Sequence, residues 1–361
     1  MTEEKKPKKG TVVCILILGQ ILLMGLVLCI FALFHHVIPR WRQENGEGPQ
    51  PIGTVQRQEQ PSPSPVSLQE NDPGAAPGTG EEPTAETAPE LEEVPETWQT
   101  RFAAHFSEEP VWTKSEYSSP NIAVTVTEYK HPEAYPEMTY YVADVYIADI
   151  SSFVIGFPQY ATYDDPHRIV KNYDGVVAIN SDEMLVQQSG GLLIRNGEIY
   201  SDLDNGGDLC VLYYDGSMDT YIGGSFTAEE ILEKEPLHSW QFGPALLDEN
   251  GLPLEEFNIT EELKGTHPRT ALGYYEPGHY CFVVIDGRDP PRSKGADIWE
   301  LAEILSGLGC KQAYNLDGGA SSMILFRGET VNTPLRTGQK LTDRFLNDMI
   351  IITEPKGEEQ G

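Results

Sequence analysis

Positive charge is scarce in this chain: 25 Lys and Arg residues stand against 56 Asp and Glu, a formal net charge of −31 over 361 residues. A nucleic-acid binder needs a basic face, so the balance argues against nucleic acid as a partner. Cysteine is also rare. Two of the five, Cys14 and Cys29, lie in an apolar N-terminal run. The remaining Cys210, Cys281 and Cys310 have apolar neighbours and form no CxxC pair, which reads as buried free thiols and not as a disulfide framework. The eight histidines include no HxH pair, so the sequence lacks the histidine-rich signature of many two-metal sites. No internal repeat is visible.

What is present begins with charge-free Thr11–Phe34, flanked by Lys5, Lys6, Lys8 and Lys9 on one side and Arg40 and Arg42 on the other. A bilayer needs about 20 such residues, and the lysine cluster favours a cytoplasmic amino terminus. The run is too long for a signal peptide, and "FALFHHVIPRW" offers no small-residue cleavage site, so an uncleaved signal anchor is expected. The implied location is the cell membrane, crossed once, with the C-terminal domain extracytoplasmic. From Gln43 to Trp98 the chain is rich in Pro, Glu, Gln and Ser, and Arg57 is the only basic residue between Arg42 and Arg101. Such composition cannot bury enough apolar surface to offset chain entropy. The expected organisation is a basic tail (1–10), a transmembrane anchor (11–38), a disordered stalk (39–100), a catalytic domain (101–355) and a disordered tail (356–361).

Within the domain, "NIAVTVTEYK" and "MTYYVADVYIADI" alternate β-branched and aromatic residues, as strands do. Asn196-Gly197 and Asp215-Gly216 mark hairpins. Thr227 and Glu230 stand at capping-box spacing. Ile298, Leu301, Ala302 and Leu305 fall on one helical face, ended by Gly307 and Gly309. Many strands with few helices predict an α/β protein of the mixed α+β kind, one large domain with a mixed multi-stranded sheet.

Polar residues gather at several strand ends: Asn180 after "VVAI", Arg269 and Thr270 in "HPRTALG", Asp286 and Arg288 in "VVIDGR", and Asn315, Asp317, Gly318, Gly319, Ser321 and Ser322 in "YNLDGGASSMILF". Each alone fits an ordinary turn or a surface charge, and Glu300 alone fits a solvated helix face. Asp202, Asp204 and Asp208 have calcium-loop-like spacing, but Gly206 and the lack of a late Glu break that pattern. A hairpin connection is the first reading there, and a bound divalent cation the lesser one.

In order, "PRTALG", "VIDGR", "ELAEIL" and "NLDGGASSMIL" resemble the phosphodiester glycosidase family over roughly residues 140–353. Arg344 matches an arginine just before the family's final strand. The resemblance implies a hydrolase acting on a sugar 1-phosphodiester without a cofactor, and bacterial relatives are often exported to exopolysaccharide or cell-wall settings. Ala320 replaces a third family glycine, and Ser181-Asp182-Glu183 replace two glycines and an aromatic beside the site. Arginine forks suit phosphate oxygens, so Arg269 and Arg288 are candidate phosphate binders. Gly318 and Gly319 would let backbone N–H groups approach the same oxygens. A carboxylate can stabilise or attack the anomeric carbon, which makes Asp317 and Asp286 the catalytic candidates. Asn180, Thr270, Asn315, Ser321, Ser322 and Arg344 would bind substrate or orient the acids, with Glu300 supporting an arginine. Two other classes stay open: a metal-dependent phosphodiesterase, and an inactive module that binds glycan or cell wall.

Overall fold

The computed structural model describes residues 50–57, 96–131, 137–159, 161–182, 191–290, 292–336, 339–340 and 344–355. The expected anchor and both tails lie outside these residues, as does most of the expected stalk. Among the described residues no helix is long and apolar enough to cross a membrane.

Among the described residues three sheets form the domain, and every ladder is antiparallel. The first runs β1 (Gly53–Thr54), β9 (Glu198–Asp202), β8 (Leu192–Arg195), β12 (Pro236–Trp240), β10 (Leu209–Tyr213), β11 (Met218–Tyr221). The second runs β15 (Gln312–Asn315), β13 (Arg269–Glu276), β14 (His279–Ile285), β5 (Met138–Ile147), β4 (Ile122–His131), β3 (Glu116–Ser118), β2 (Val111–Trp112). The third runs β17 (Glu329–Thr330), β16 (Ile324–Phe326), β7 (Gly175–Asn180), β20 (Met349–Thr353), β6 (Phe153–Gly156). A separate two-stranded ladder joins β18 (Leu335–Arg336) to β19 (Gln339–Lys340). The α+β expectation holds. The single mixed sheet is replaced by these three.

Side-chain alternation assigns each face of the second sheet. Val124, Val145, Phe282, Val284, Leu272 and Tyr314 project into the main core, where they meet Phe153, Ile179, Leu212, Trp240, Ile324 and Ile350 of the other two sheets. On the opposite face, Ala271, Cys281, Val283 and Ala313 pack against Ile298, Leu301, Ala302 and Leu305 of the helix Ile298–Gly307. That helix forms where its periodicity predicted, and an Asp297/Glu300 capping box starts it. The hairpin at Asn196-Gly197 (φ 52° and 77°) and the Thr227/Glu230 capping box also form as expected.

The domain boundary is a correction. Residues 50–57 belong to the domain: Gly53 and Thr54 pair with Ile199 and Glu198, and Val55 is buried in the cluster of Leu192, Ile194 and Val211. The Arg57 guanidinium lies 4.3 Å from the centre of the Tyr214 ring. A two-residue strand with one apolar anchor leaves no periodic signal, so composition alone concealed it. The boundary at 101 also moves back, because Trp98 of the helix Trp98–Arg101 packs on the main core.

Candidate active site

One end of the sandwich brings together the last residue of β7, the first residues of β13, the loop after β15 and the start of β16. Asn180 holds them. Its Nδ2 donates to the Asp317 carbonyl (2.7 Å) and the Ser181 carbonyl (3.2 Å), while its Oδ1 accepts from the Thr270 hydroxyl (2.7 Å) and the Met323 N–H (3.1 Å). Asn180 is 1 % exposed and Thr270 is fully buried. Both shape the loop from beneath and do not offer groups to a sugar.

The loop Asp317–Ser322 crosses this platform, turning through a short 3-10 helix at Gly319–Ser321. Its two glycines answer different constraints. A Cβ on Gly318 would stand 2.8 Å from the Pro268 carbonyl oxygen. Gly319 has φ 65°, and a Cβ there would stand 2.9 Å from Arg288 Nη2. The expectation that the N–H of Gly319 reaches a phosphate is corrected, since it donates to Pro268 O at 2.8 Å. The glycines instead let the loop lie against its neighbours and against the Arg288 guanidinium.

Arg288 is a non-glycine residue with φ 60°, a conformation held only where the surroundings enforce it. Its side chain is half-buried beside Gly319. On the other side, Arg344 Nη2 lies 3.9 Å from Asp317 Oδ2, and both Arg344 Nε (3.1 Å) and Nη2 donate to the Ser321 hydroxyl. The Asp317 side chain is 17 % exposed and that of Arg344 32 %. With a partly exposed carboxylate near one guanidinium and a second guanidinium against the same glycine loop, the site can hold an anion beside an electron-deficient carbon.

Other predicted site residues are placed elsewhere. Arg269 is corrected: alternation along β13 sends Thr270 toward Asn180 and Arg269 to the helix side. There Arg269 donates to the carbonyls of Ala296 (3.0 Å), Leu263 (2.7 Å) and Gly265 (2.5 Å), and burial lowers its pKa to about 10. Asn315, opposite Ala271, shares that side and donates to the Gly243 carbonyl at 2.7 Å. Glu300 supports neither Arg269 nor Arg288. It caps its helix by accepting from Asp297 N–H and pairs with Lys294 at 2.5 Å. Ser321 serves Arg344, while the fully buried Ser322 lends its carbonyl to Asn332.

Asp286 is the largest correction. Its carboxylate is 1 % exposed and accepts from Arg292 Nη1 (2.8 Å), Asn332 Nδ2 (3.0 Å) and Thr333 N–H (3.0 Å). Burial raises its pKa, with these hydrogen bonds opposing the rise. It ties the loop before β18 to the end of β14 and presents no oxygen to a substrate. Neither Arg292 nor Asn332 carries a local sequence signal: Arg292 is one of two arginines in "GRDPPR", and Asn332 in "TVNTP" reads as a turn residue.

The Ser181-Asp182 departure also resolves inward. Asp182 is fully buried and pairs with Arg195, whose Nε reaches Asp348 at 3.1 Å. Burial pushes the Asp182 carboxyl up, and Asp348 adds to the rise while Arg195 opposes it. The substitution therefore changes what lies beneath the site. No sequence spacing connects Asp182, Arg195 and Asp348. In the calcium-like segment, Asp204 accepts from Gly206 N–H and Gln241, and Asp208 from Gly223 and Ala245 N–H. Among the described residues no group of three or more His, Cys, Asp or Glu could hold a metal ion.

The fold and loop define a sandwich-like α+β protein with an acid and two arginines around a glycine turn. A family model described as "Phosphodiester glycosidase" matches residues 168–353, and the chain belongs to that family. The SPbeta prophage-derived uncharacterized protein YomE of Bacillus subtilis (strain 168) is 30 % identical over 171 residues, covering 45 % of this chain and 26 % of the relative. The human N-acetylglucosamine-1-phosphodiester alpha-N-acetylglucosaminidase is 29 % identical over 193 residues, covering 49 % of this chain and 34 % of the relative. The matched part thus spans about a quarter to a third of these curated relatives. The zebrafish N-acetylglucosamine-1-phosphodiester alpha-N-acetylglucosaminidase catalytic domain shares the fold, with TM-score 0.52 and 18 % identity. That match covers 68 % of this chain and 88 % of the zebrafish chain.

Proposed function

We propose that this protein is a membrane-anchored, extracytoplasmic glycosidase that hydrolyses a sugar 1-phosphodiester bond in a cell-surface glycan or exopolysaccharide. The observation that carries the reading is a single loop that sets the Asp317 carboxylate beside Arg344 and lays Gly319 against the Arg288 guanidinium. A glycosyl phosphodiester joins an anionic phosphate to an anomeric carbon. The two guanidinium groups bind the phosphate, and Asp317 stabilises or attacks the carbon as positive charge develops there. A phosphate leaving group needs less protonation than an alkoxide, so one carboxylate suffices. This matters because Asp286 is engaged by Arg292, Asn332 and Thr333. The activity named for the human relative is of this class, and the charge-free Thr11–Phe34 run supports the membrane placement.

The test is turnover of chromogenic sugar 1-phosphodiesters by the full-length protein, with and without chelator, alongside Asp317→Asn. The expected result is chelator-resistant hydrolysis that falls about a hundredfold or more in Asp317→Asn, with the melting temperature nearly unchanged. Chelator-sensitive release by attack at phosphorus would mark a metal-dependent phosphodiesterase. Saturable binding without turnover would mark a glycan-binding module. Unchanged turnover per folded Asp317→Asn molecule would remove Asp317 from the mechanism.

A further inference from the structure

A glycine in the middle of a central strand weakens it, unless something else needs the space. Gly273 sits in β13 opposite Cys281 of β14 on one side and Ala313 of β15 on the other. A Cβ there would stand 2.6 Å from Cys281 Sγ and 2.7 Å from Cys310 Sγ. Cys310 reaches this point from the turn after the helix Ile298–Gly307, where its N–H donates to the Leu305 carbonyl at 3.2 Å. The vacated strand position lets the two sulfurs meet over β13, 3.5 Å apart. Cys281 is fully buried and Cys310 is 2 % exposed. The third described cysteine, Cys210, belongs to the main core, on the other face of the second sheet from this pair.

All three thiols are free and buried in this structure, as expected; we propose that Cys281 and Cys310 are joined by a disulfide in the mature protein. The two thiols lose two protons and two electrons as the S–S bond forms. The electrons pass by thiol–disulfide exchange to a disulfide oxidant outside the cytoplasm. Because both sulfurs are enclosed in the folded domain, the exchange takes place while the chain is folding. The bond closes a loop that contains Asp286, Arg288, Arg292 and the helix Ile298–Gly307, so it braces the segment that presents Arg288. The inference rests on the extracytoplasmic placement proposed above and is independent of the glycosidic chemistry.

The experiment is peptide mapping of full-length protein isolated from membranes, unfolded in denaturant and alkylated without reductant. The expected result is a cross-linked peptide pair containing Cys281 and Cys310, with Cys210 alkylated. Reductant should lower the melting temperature of the wild type by roughly 5–10 °C and leave Cys310→Ala unmoved. A parallel sample, reduced and refolded in a glutathione redox buffer, locates any failure. Alkylation of both cysteines in the membrane and refolded samples overturns the proposal on geometric grounds. Alkylation in the membrane sample alone also overturns it and removes the extracytoplasmic placement, leaving the turnover assay to judge the chemistry separately.

Discussion

Replacing Asn180 with Ala should be costly out of proportion to its size, because its amide joins β7 of the third sheet to β13 of the second and to the loop between β15 and β16. Removing it strands the Asp317 carbonyl, the Met323 N–H and the Thr270 hydroxyl, bonded to it at 2.7, 3.1 and 2.7 Å. Each stranded buried polar group costs about 1–3 kcal/mol. Taking the low end for each, since water can enter the space left, gives a loss of about 3 kcal/mol. For a domain of this size that lowers the melting temperature by roughly 10 °C. Thr270→Val supplies an internal scale. It removes one hydroxyl and leaves Asn180 accepting from Met323, so it should cost about 1 kcal/mol. Calorimetry and turnover on the same samples make the comparison. Asn180→Ala should also lose turnover per folded molecule, because the loop bearing Asp317 is no longer pinned. A melting temperature within about 2 °C of wild type would refute the reasoning, as would equal losses for the two variants.

Arg288→Lys should raise KM for phosphodiester substrates by roughly tenfold or more with a smaller effect on kcat, because a point charge replaces a planar fork. Steady-state kinetics on the folded variant checks it, and an unchanged KM would place the phosphate elsewhere. Val55→Asp should lower the melting temperature by several degrees and leave kcat intact, since it puts a charge among Leu192, Ile194 and Val211, a cluster to which no residue of the glycine loop belongs. A silent variant would show that residues 50–57 do not dock on the domain. His238 is fully buried and its pKa is lowered to about 3, mainly by burial. The folded state therefore binds fewer protons than the unfolded chain between about pH 3 and 6.5, and this contribution to stability fades as pH falls through that window. Its slope is about 1.4 kcal/mol per pH unit. Asp286, with its raised pKa, slopes the opposite way, its contribution fading as pH rises. Denaturant titrations of wild type and His238→Gln should differ in slope only below pH 6.5, and parallel curves would mean His238 is not held neutral.

The sequence by itself determined the elements that local periodicity and turn chemistry specify. Alternation in 122–131 and 138–147, the Asn196-Gly197 turn and the capped helix at 298–307 need no distant partner to be recognised. It also placed Asp317, Gly318 and Gly319 together, since adjacency along the chain guarantees nearness in space. Only the tertiary structure decided which polar residues face the site. Arg269 and Thr270 are neighbours in sequence, yet the pleat sends them to opposite faces of the sheet. Asp286 looks like an exposed turn acid until Asn332 and Arg292 close over it. Val55 acquires a partner only when β9 exists to receive it. Asp182 becomes buried only because Arg195 arrives from β8 and Asp348 from the residue before β20. Each outcome depends on contacts between residues distant in sequence, whose pairing follows from sheet register and burial and leaves no local pattern to read.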